Sequence, residues 1–147
     1  MYRKNVACIF ESNGKVLLGK RTDCDAWQFP QGGIDAQDLN EEEALYREMH
    51  EELGTRDFEV VSKHSELLKY DFPPSVKPRG NFVGQEQRWF LARFNAFEDG
   101  EVPEAGDLEF EAFEWVTPAE ALERIVHFKR AIYLRVLCDF GLLECRA

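Results

Sequence analysis

Arg47-Glu48-Met49-His50-Glu51-Glu52-Leu53-Gly54 closes the clearest helix in the chain, and closes it against the ordinary rules of helix stability. On a helical projection Glu48, Glu51 and Glu52 fall within an arc of about 100°. Glu48 is a like-charge neighbour of both Glu51 and Glu52, each pair unfavourable by a few tenths of a kcal/mol. All three sit at the negative end of the helix dipole, where a cation is the stabilising choice. A solvated acidic face is the plain alternative. Carboxylate oxygens converging on one point are, however, the donor set that Mg²⁺ or Mn²⁺ takes.

Working outward, the same helix has a well-formed start. Asn40 is an N-cap with Glu43 three residues on, as in a capping box, and Glu41 and Glu42 suit the positive end of the dipole. Leu45, Met49 and Leu53 form a four-residue stripe for burial, and Gly54 supplies a C′ stop, so the spacing predicts a helix from Asn40 to Leu53. Upstream, Ser12-Asn13-Gly14 turns a hairpin between Val6–Phe10 and Lys15–Leu18. Trp27-Gln28-Phe29-Pro30-Gln31-Gly32-Gly33 reads as a shaped loop. Downstream, strands are expected at Phe58–Val61, Leu67–Phe72, Gln87–Phe94 and Phe113–Val116. A helix starts behind the N-cap Thr117 with Pro118 first, and a last helix runs from Lys129 to Phe140. The stretches 73–81 and 99–107 read as loops. Interleaved strands and helices give an α/β class with a mixed sheet.

The 147 residues suit one domain spanning 1–147, and neither a repeat nor a linker divides them. Hydrophobic residues at 44% and charged residues at 31% exclude a wholly disordered chain, and no apolar run reaches the length of a membrane span. The basic start and its short apolar stretch do not make a signal peptide. Four cysteines without C-x-x-C spacing read as free thiols in a reducing cytoplasm, and the histidines show no ligand spacing. A net charge of −10 argues against a non-specific nucleic-acid binder. It leaves room for a polyanionic substrate whose charge a bound divalent cation reverses locally.

With Gly32-Gly33-Ile34 before the helix and Arg47-Glu48-Met49-His50-Glu51-Glu52-Leu53-Gly54 ending it, the segment resembles the Nudix box, G-x5-E-x7-R-E-U-x-E-E-x-G-U. Two departures stand out. Thr55 takes the last aliphatic position, and the upstream Glu is missing. Asp38 lies one residue too far back, next to Leu39, as though one residue were inserted and Asp38 were a shifted substitute. The likeness extends further. Trp27 to Ile34 looks like the W-Q-F-P-Q-G-G-I segment of bacterial RNA 5′-pyrophosphohydrolases, which related dinucleoside polyphosphate hydrolases share. Lys69-Tyr70, Gly84-Gln85 with Gln87, Glu109-Phe110 and Phe128-Lys129-Arg130 echo the RNA enzymes.

The resemblance implies the Nudix fold: an α/β/α sandwich with a mixed β-sheet and a loop-helix-loop catalytic box. It implies a phosphoanhydride hydrolase using Mg²⁺ or Mn²⁺, with more than one ion. Glu48, Glu51, Glu52 and Glu109 are then catalytic and metal-holding, Gly32 joins the metal set, and Glu48 is the favoured base. Gly33, Arg47 and Gly54 are structural. Arg3, Arg21, Gln31, Lys69, Tyr70, Arg88, Val126, Phe128 and Lys129 are the expected substrate contacts, with Lys20 and Arg130 as further candidates. Phe128 is expected to stack on a base with Arg3 opposite, and the loop around Lys77 and Arg79 to lie over the substrate. The substrate expected is the 5′-triphosphate or diphosphate end of single-stranded RNA, converted to a monophosphate that starts transcript decay. Diadenosine tetra- or pentaphosphate is the nearest alternative. A non-catalytic nucleotide-binding Nudix regulator and an acidic protein-interaction module are rivals from other classes. Neither a membrane nor an oligomeric state is indicated.

Overall fold

The computed structural model describes residues 1–74, 80–95, 97–98, 100–104 and 109–145. The loop expected to cover the substrate at Lys77 and Arg79, and part of the acidic stretch 99–107, lie outside the described residues. The described chain forms eight strands: β1 (Tyr2–Ser12), β2 (Lys15–Arg21), β3 (Trp27–Gln28), β4 (Gln31–Gly33), β5 (Phe58–Lys63), β6 (Leu68–Asp71), β7 (Gly84–Phe94) and β8 (Phe110–Val116). Three helices accompany them: α1 (Glu41–Leu53), α2 (Pro118–Arg124) and α3 (Arg130–Asp139), with a 3-10 turn at His127–Lys129 before α3.

The strands join in one mixed sheet whose axis is β1. From Tyr2 to Phe10 it runs parallel to β7, at Asn5–Ala7 its other edge takes β4, and its end turns through the hairpin into β2. Burial on both faces explains the unbroken apolar run Val6–Phe10. Ala7 and Ile9 join a core cluster with Leu122, Tyr133 and Val136 of α2 and α3. Val6, Cys8 and Phe10 join a second cluster with Leu45, Met49 and Leu53 of α1. Helices therefore cover both faces, the α/β/α sandwich expected from the sequence. Each buried Leu or Met of α1 contributes about 1.5–3 kcal/mol.

Both caps form as read. Asn40 Oδ1 accepts from Glu43 N at 2.8 Å, and Thr117 Oγ1 from Glu120 N at 3.2 Å. Gly54 takes φ +74° and returns its N–H to His50 O. At Asn13 (φ 51°) and Gly14 (φ 80°) the hairpin has the positive angles anticipated.

Other boundaries differ. β1 and β7 are longer than their apolar runs, because parallel pairing from Tyr2↔Gly84 onward carries polar residues into the ladder. The segment 27–33 is two short strands around Phe29-Pro30, with Pro30 O accepting from Cys8 N at 3.0 Å. The last helix begins at Arg130, after the 3-10 turn. The cysteines need a correction. Cys138 and Cys145 form a disulfide, and only Cys8 and Cys24 are free. Gly141 (φ 76°) and the bond from Leu142 N to Leu137 O fold the segment back beneath α3, which the sequence spacing did not reveal. Among the described residues no helix is long and apolar enough to cross a membrane.

Candidate active site

Glu48 and Glu52 lie one turn apart on α1, and the Glu48 charge acts on Glu52. Glu52 is 4% exposed, an unusual burial for a carboxylate. Glu109 arrives from the residue before β8. Pairing of Arg21 with Phe110 and a bond from Thr22 N to Glu109 O (2.9 Å) fix its backbone there. The Glu52 and Glu109 side chains share a hydrogen bond, and the Gln31 backbone also bonds Glu52. Glu52 Oε2 is buried without a protein partner. Burial pushes the Glu52 carboxyl well above the usual range, and Glu109 and Glu48 add to the rise. Burial also raises Glu48, against the opposing pull of the Arg47 guanidinium. Glu51 differs, with a side chain 58% exposed at the rim.

This donor set fits a divalent cation. It is all oxygen, its carboxylates repel one another, and a buried acceptor has no protein donor. Among the described residues, no three acidic, His or Cys side chains are drawn together tightly enough to hold an ion as they stand. Arg47 engages two of the acids. Its Nη1 donates to Glu48 Oε1 at 2.9 Å and lies 3.6 Å from Glu51 Oε1.

The frame around the acids is tight. A Cβ on Gly32 would fall on the Glu48 carboxyl, and one on Gly33 would fall on the Arg3 guanidinium. Arg47 clamps the loop to the helix, with Nη2 donating to Gly33 O at 2.9 Å and to Asp38 Oδ2 at 2.8 Å, and Nε to Asp38 Oδ1 at 2.9 Å. Asp38, one position out of register with the family's Glu, therefore grips the box arginine with both oxygens. A turn closed by Asp38 N to Asp35 O lets Leu39 stand 87% exposed in solvent.

The acids open into a cleft of about 620 Å³. Arg3, Arg21, Gln31, Tyr70, Val126, Phe128 and Lys129 line it together with Gly32, Gly33, Glu48, Glu51 and Glu109. Lys129 is 7% exposed and donates to Gln28 Oε1 at 3.0 Å. Burial, with Arg21 nearby, brings its ammonium down to about 8. Tyr70 bonds Gln31, and burial lifts its hydroxyl to about 12. Phe128 lies 5.8 Å from the Tyr70 ring, while Arg3 packs against Gly33. Arg21 is held by Asp23 through Nε at 2.7 Å and Nη2 at 2.5 Å.

Other expected cations are placed elsewhere. Arg88 pairs with Glu41 at 3.0 Å and donates to His64 O. Lys69 pairs with Glu86 and lies over the Tyr2 ring. Lys20 serves Asp25 and Glu111, and Arg130 donates to Leu122 O. These four are not among the described residues that line the cleft. The sequence reading missed Asn5, Gln28, Gln85, Phe72 and Phe82 on the cleft wall. Gln87 Nε2 ties Asn5 Oδ1 (3.0 Å) to Gln31 Oε1 (2.7 Å) behind it. Asn5 pairs with Gln87 in register, and both are buried amides, which the other polar residues of these strands hid in the sequence.

Comparison with known proteins adds the family. The family description "NUDIX domain" matches residues 1–136. A Gluconacetobacter diazotrophicus protein named RNA pyrophosphohydrolase is 39% identical over 95% of this chain and 92% of its own length. One of that name from Campylobacter jejuni is 38% identical over 95% and 92%. Nudix hydrolase 25 of Arabidopsis thaliana is 38% identical over 95% and 86%. In fold the chain is similar to the E. coli dihydroneopterin triphosphate pyrophosphohydrolase, at TM-score 0.71, 14% identity and coverage of 95% and 99%. The glycines, the clamped arginine and the four glutamates thus stand where that family description covers the chain, and the chain belongs to the NUDIX domain family.

Proposed function

We propose that this chain, acting as one domain in the cytoplasm, is a divalent-metal-dependent RNA 5′-pyrophosphohydrolase. It adds water to a phosphoanhydride of a 5′-triphosphate or diphosphate end, leaving a monophosphate and releasing pyrophosphate or phosphate. One observation carries this reading. Glu48, Glu51 and Glu109 line the same cleft as Phe128, Tyr70 and Lys129, and the buried Glu52 carboxyl is hydrogen-bonded to Glu109. Phosphate chemistry and base recognition are thus reachable by one molecule. The named relatives support RNA as the substrate.

Glu48, Glu51, Glu52 and Glu109 would hold Mg²⁺ or Mn²⁺, with the Gly32 carbonyl beside them. A bound divalent cation neutralises phosphate charge and acidifies water. The protein supplies the rest. Arg47 anchors Glu48 through Oε1, leaving Oε2 over Gly32 to take the proton of the attacking water. Arg3, Arg21 and Lys129 receive phosphate oxygens. Phe128 and Tyr70 offer faces to a base, which suits sequence-tolerant recognition of an unpaired 5′ end.

The test is turnover of 5′-triphosphate RNA against diadenosine tetraphosphate with Mg²⁺, with Glu48→Gln alongside. Faster conversion of RNA to its monophosphate, reduced about 10²–10⁴-fold in the variant, is the expected result. Preference for the dinucleotide replaces RNA by a small substrate at the same centre. Nucleotide binding without cleavage returns the regulator.

A further inference from the structure

Two rings on the cleft wall have no part in the scheme above: Phe72 and Phe82. Moving along β6, side chains on one face go from the buried Leu68 to the half-buried Tyr70 and then, just past the strand, to the half-buried Phe72. That is a path from core to rim. At its inner end Tyr70 bonds Gln31, whose backbone bonds Glu52. At its outer end Phe72 lies 6.0 Å from Tyr70, which lies 5.8 Å from Phe128. These backbone positions are set by more than their own loop. Phe72 N donates to Val83 O at 2.8 Å, Val83 N to Met1 O at 2.8 Å, and a Cβ on Gly84 would strike Tyr70 O. Phe72 is thus held at the end of the sheet in ring contact with Tyr70, and Phe82 lines the same cleft.

Resting on the RNA reading, we infer that Phe72 and Phe82 are a binding platform for the nucleotides downstream of the one held at Phe128. Three considerations converge on that occupant. Half-exposed aromatic rings in a substrate cleft are stacking surfaces for bases, and every base has a face to offer. Steps of about 6 Å between ring centres exceed the roughly 3.4 Å per nucleotide of a duplex strand, so they suit bases splayed from an unpaired chain. Among the described residues no cation is placed over the Phe72 or Phe82 ring: Lys129 lies over Tyr70 and Phe128, and Lys69 is engaged with Glu86 and Tyr2, so bases find a surface there where a further polyphosphate arm finds little attraction. A dinucleoside polyphosphate has no nucleotide beyond its second base to place on the wall.

The experiment is a length series. Initial rates are measured for 5′-triphosphorylated RNAs of two to five unpaired nucleotides and for diadenosine tetraphosphate. The proteins are wild type, Phe72→Ala, Phe82→Ala and Phe72→Leu, the last keeping bulk without a π-face. For wild type, kcat/KM rises about tenfold from two to four nucleotides, mostly through KM. In Phe72→Ala and Phe72→Leu that length gain shrinks to about twofold, and Phe82→Ala loses part of it. A length gain that survives both phenylalanine substitutions overturns the platform. So does an equal fall for the dinucleotide, which would assign the wall to a second adenosine. Anisotropy with a labelled 5′-hydroxyl pentanucleotide separates this from the activity reading. If wild type cleaves no RNA, the function above fails. The platform then stands only if Phe72→Ala still weakens pentanucleotide binding about tenfold, and it falls if the Kd is unchanged.

Discussion

Glu52 is the residue on which the site turns. Its carboxyl is buried among like charges, so the folded chain holds a proton that the unfolded chain has already lost. A carboxyl raised in the folded state gives stability that is full below the unfolded value near 4.5 and declines as pH rises above it. Metal-free protein is therefore expected to melt at a lower temperature at pH 7.5 than at pH 5, and Glu52→Gln to flatten that slope. Carboxylates held low by hydrogen bonds, Asp38 by Arg47 and Asp139 by His64, act on the acid side of this window. A divalent cation at 100 times its Kd adds about 2.7 kcal/mol, or about 8 °C in Tm for a chain of this length. The gain is expected to be larger at pH 7.5, where ions displace fewer protons. Calorimetry at the two pH values, with and without Mn²⁺, checks both. A pH-independent Tm, or a cation shift that survives Glu52→Gln intact, would mean that the carboxylate is not the ligand. His64 shows the opposite lesson. Its Nε2 lies 2.7 Å from Asp139, a tie between the end of β5 and α3 far from this chemistry.

Between elements, the decisive contact is the arginine clamp. Arg47 joins β4, the following loop and α1 through Gly33 O and the two oxygens of Asp38. Asp38 is almost wholly buried as a side chain, so its charged bonds are worth more than a surface pair. Asp38→Asn is expected to cost about 1–2 kcal/mol, about 3–6 °C in Tm. It is also expected to lower kcat about tenfold by freeing Arg47 to tighten on Glu48. Melting curves and steady-state rates decide it; an unchanged Tm would show that the one-residue shift had already emptied this contact. Asp38 as a shifted partner was readable from the sequence because charge pairing tolerates a residue of slack. The short strands β3 and β4 were not readable, since a Pro and two Gly mark a stop and only the open edges of β2 and β1 turn the flanks into ladders. Trp27 fits this account, with Arg124 stacked 4.5 Å from its ring centre.

At the scale of the whole molecule, a chain of net charge −10 concentrates its few cleft cations on one substrate path. Among the described residues these are Arg3, Arg21 and Lys129, and Arg21 is already held by Asp23. Single-strand binding releases about 0.7 counterions per phosphate neutralised. At fixed Mg²⁺, the log–log dependence of RNA affinity on KCl is thus expected to have a slope no steeper than about −2. Titration from 50 to 300 mM KCl measures it. A slope near −4 or beyond would require cations besides those of the described cleft residues.

What the sequence determined by itself was local: the caps of α1 and α2, the apolar stripe that seats α1, and the carboxyls one turn apart at its end. These follow from φ/ψ preference and helical period, which neighbours in the chain set. The box arginine's partner was also within reach, being few residues away. Tertiary structure alone decided which charges serve the cleft. Arg88 and Lys69 looked as eligible as Arg21 and Lys129 until the fold set the first beside Glu41 of α1 and the second beside Glu86 of β7. It likewise decided that Asn5, Gln28, Gln31 and Gln87 are buried amides and that Phe72 and Phe82 share a wall with the acids. The physical reason is the same in each case. A side chain's partner across a sheet is chosen by register between distant strands, and register is a property of the folded whole.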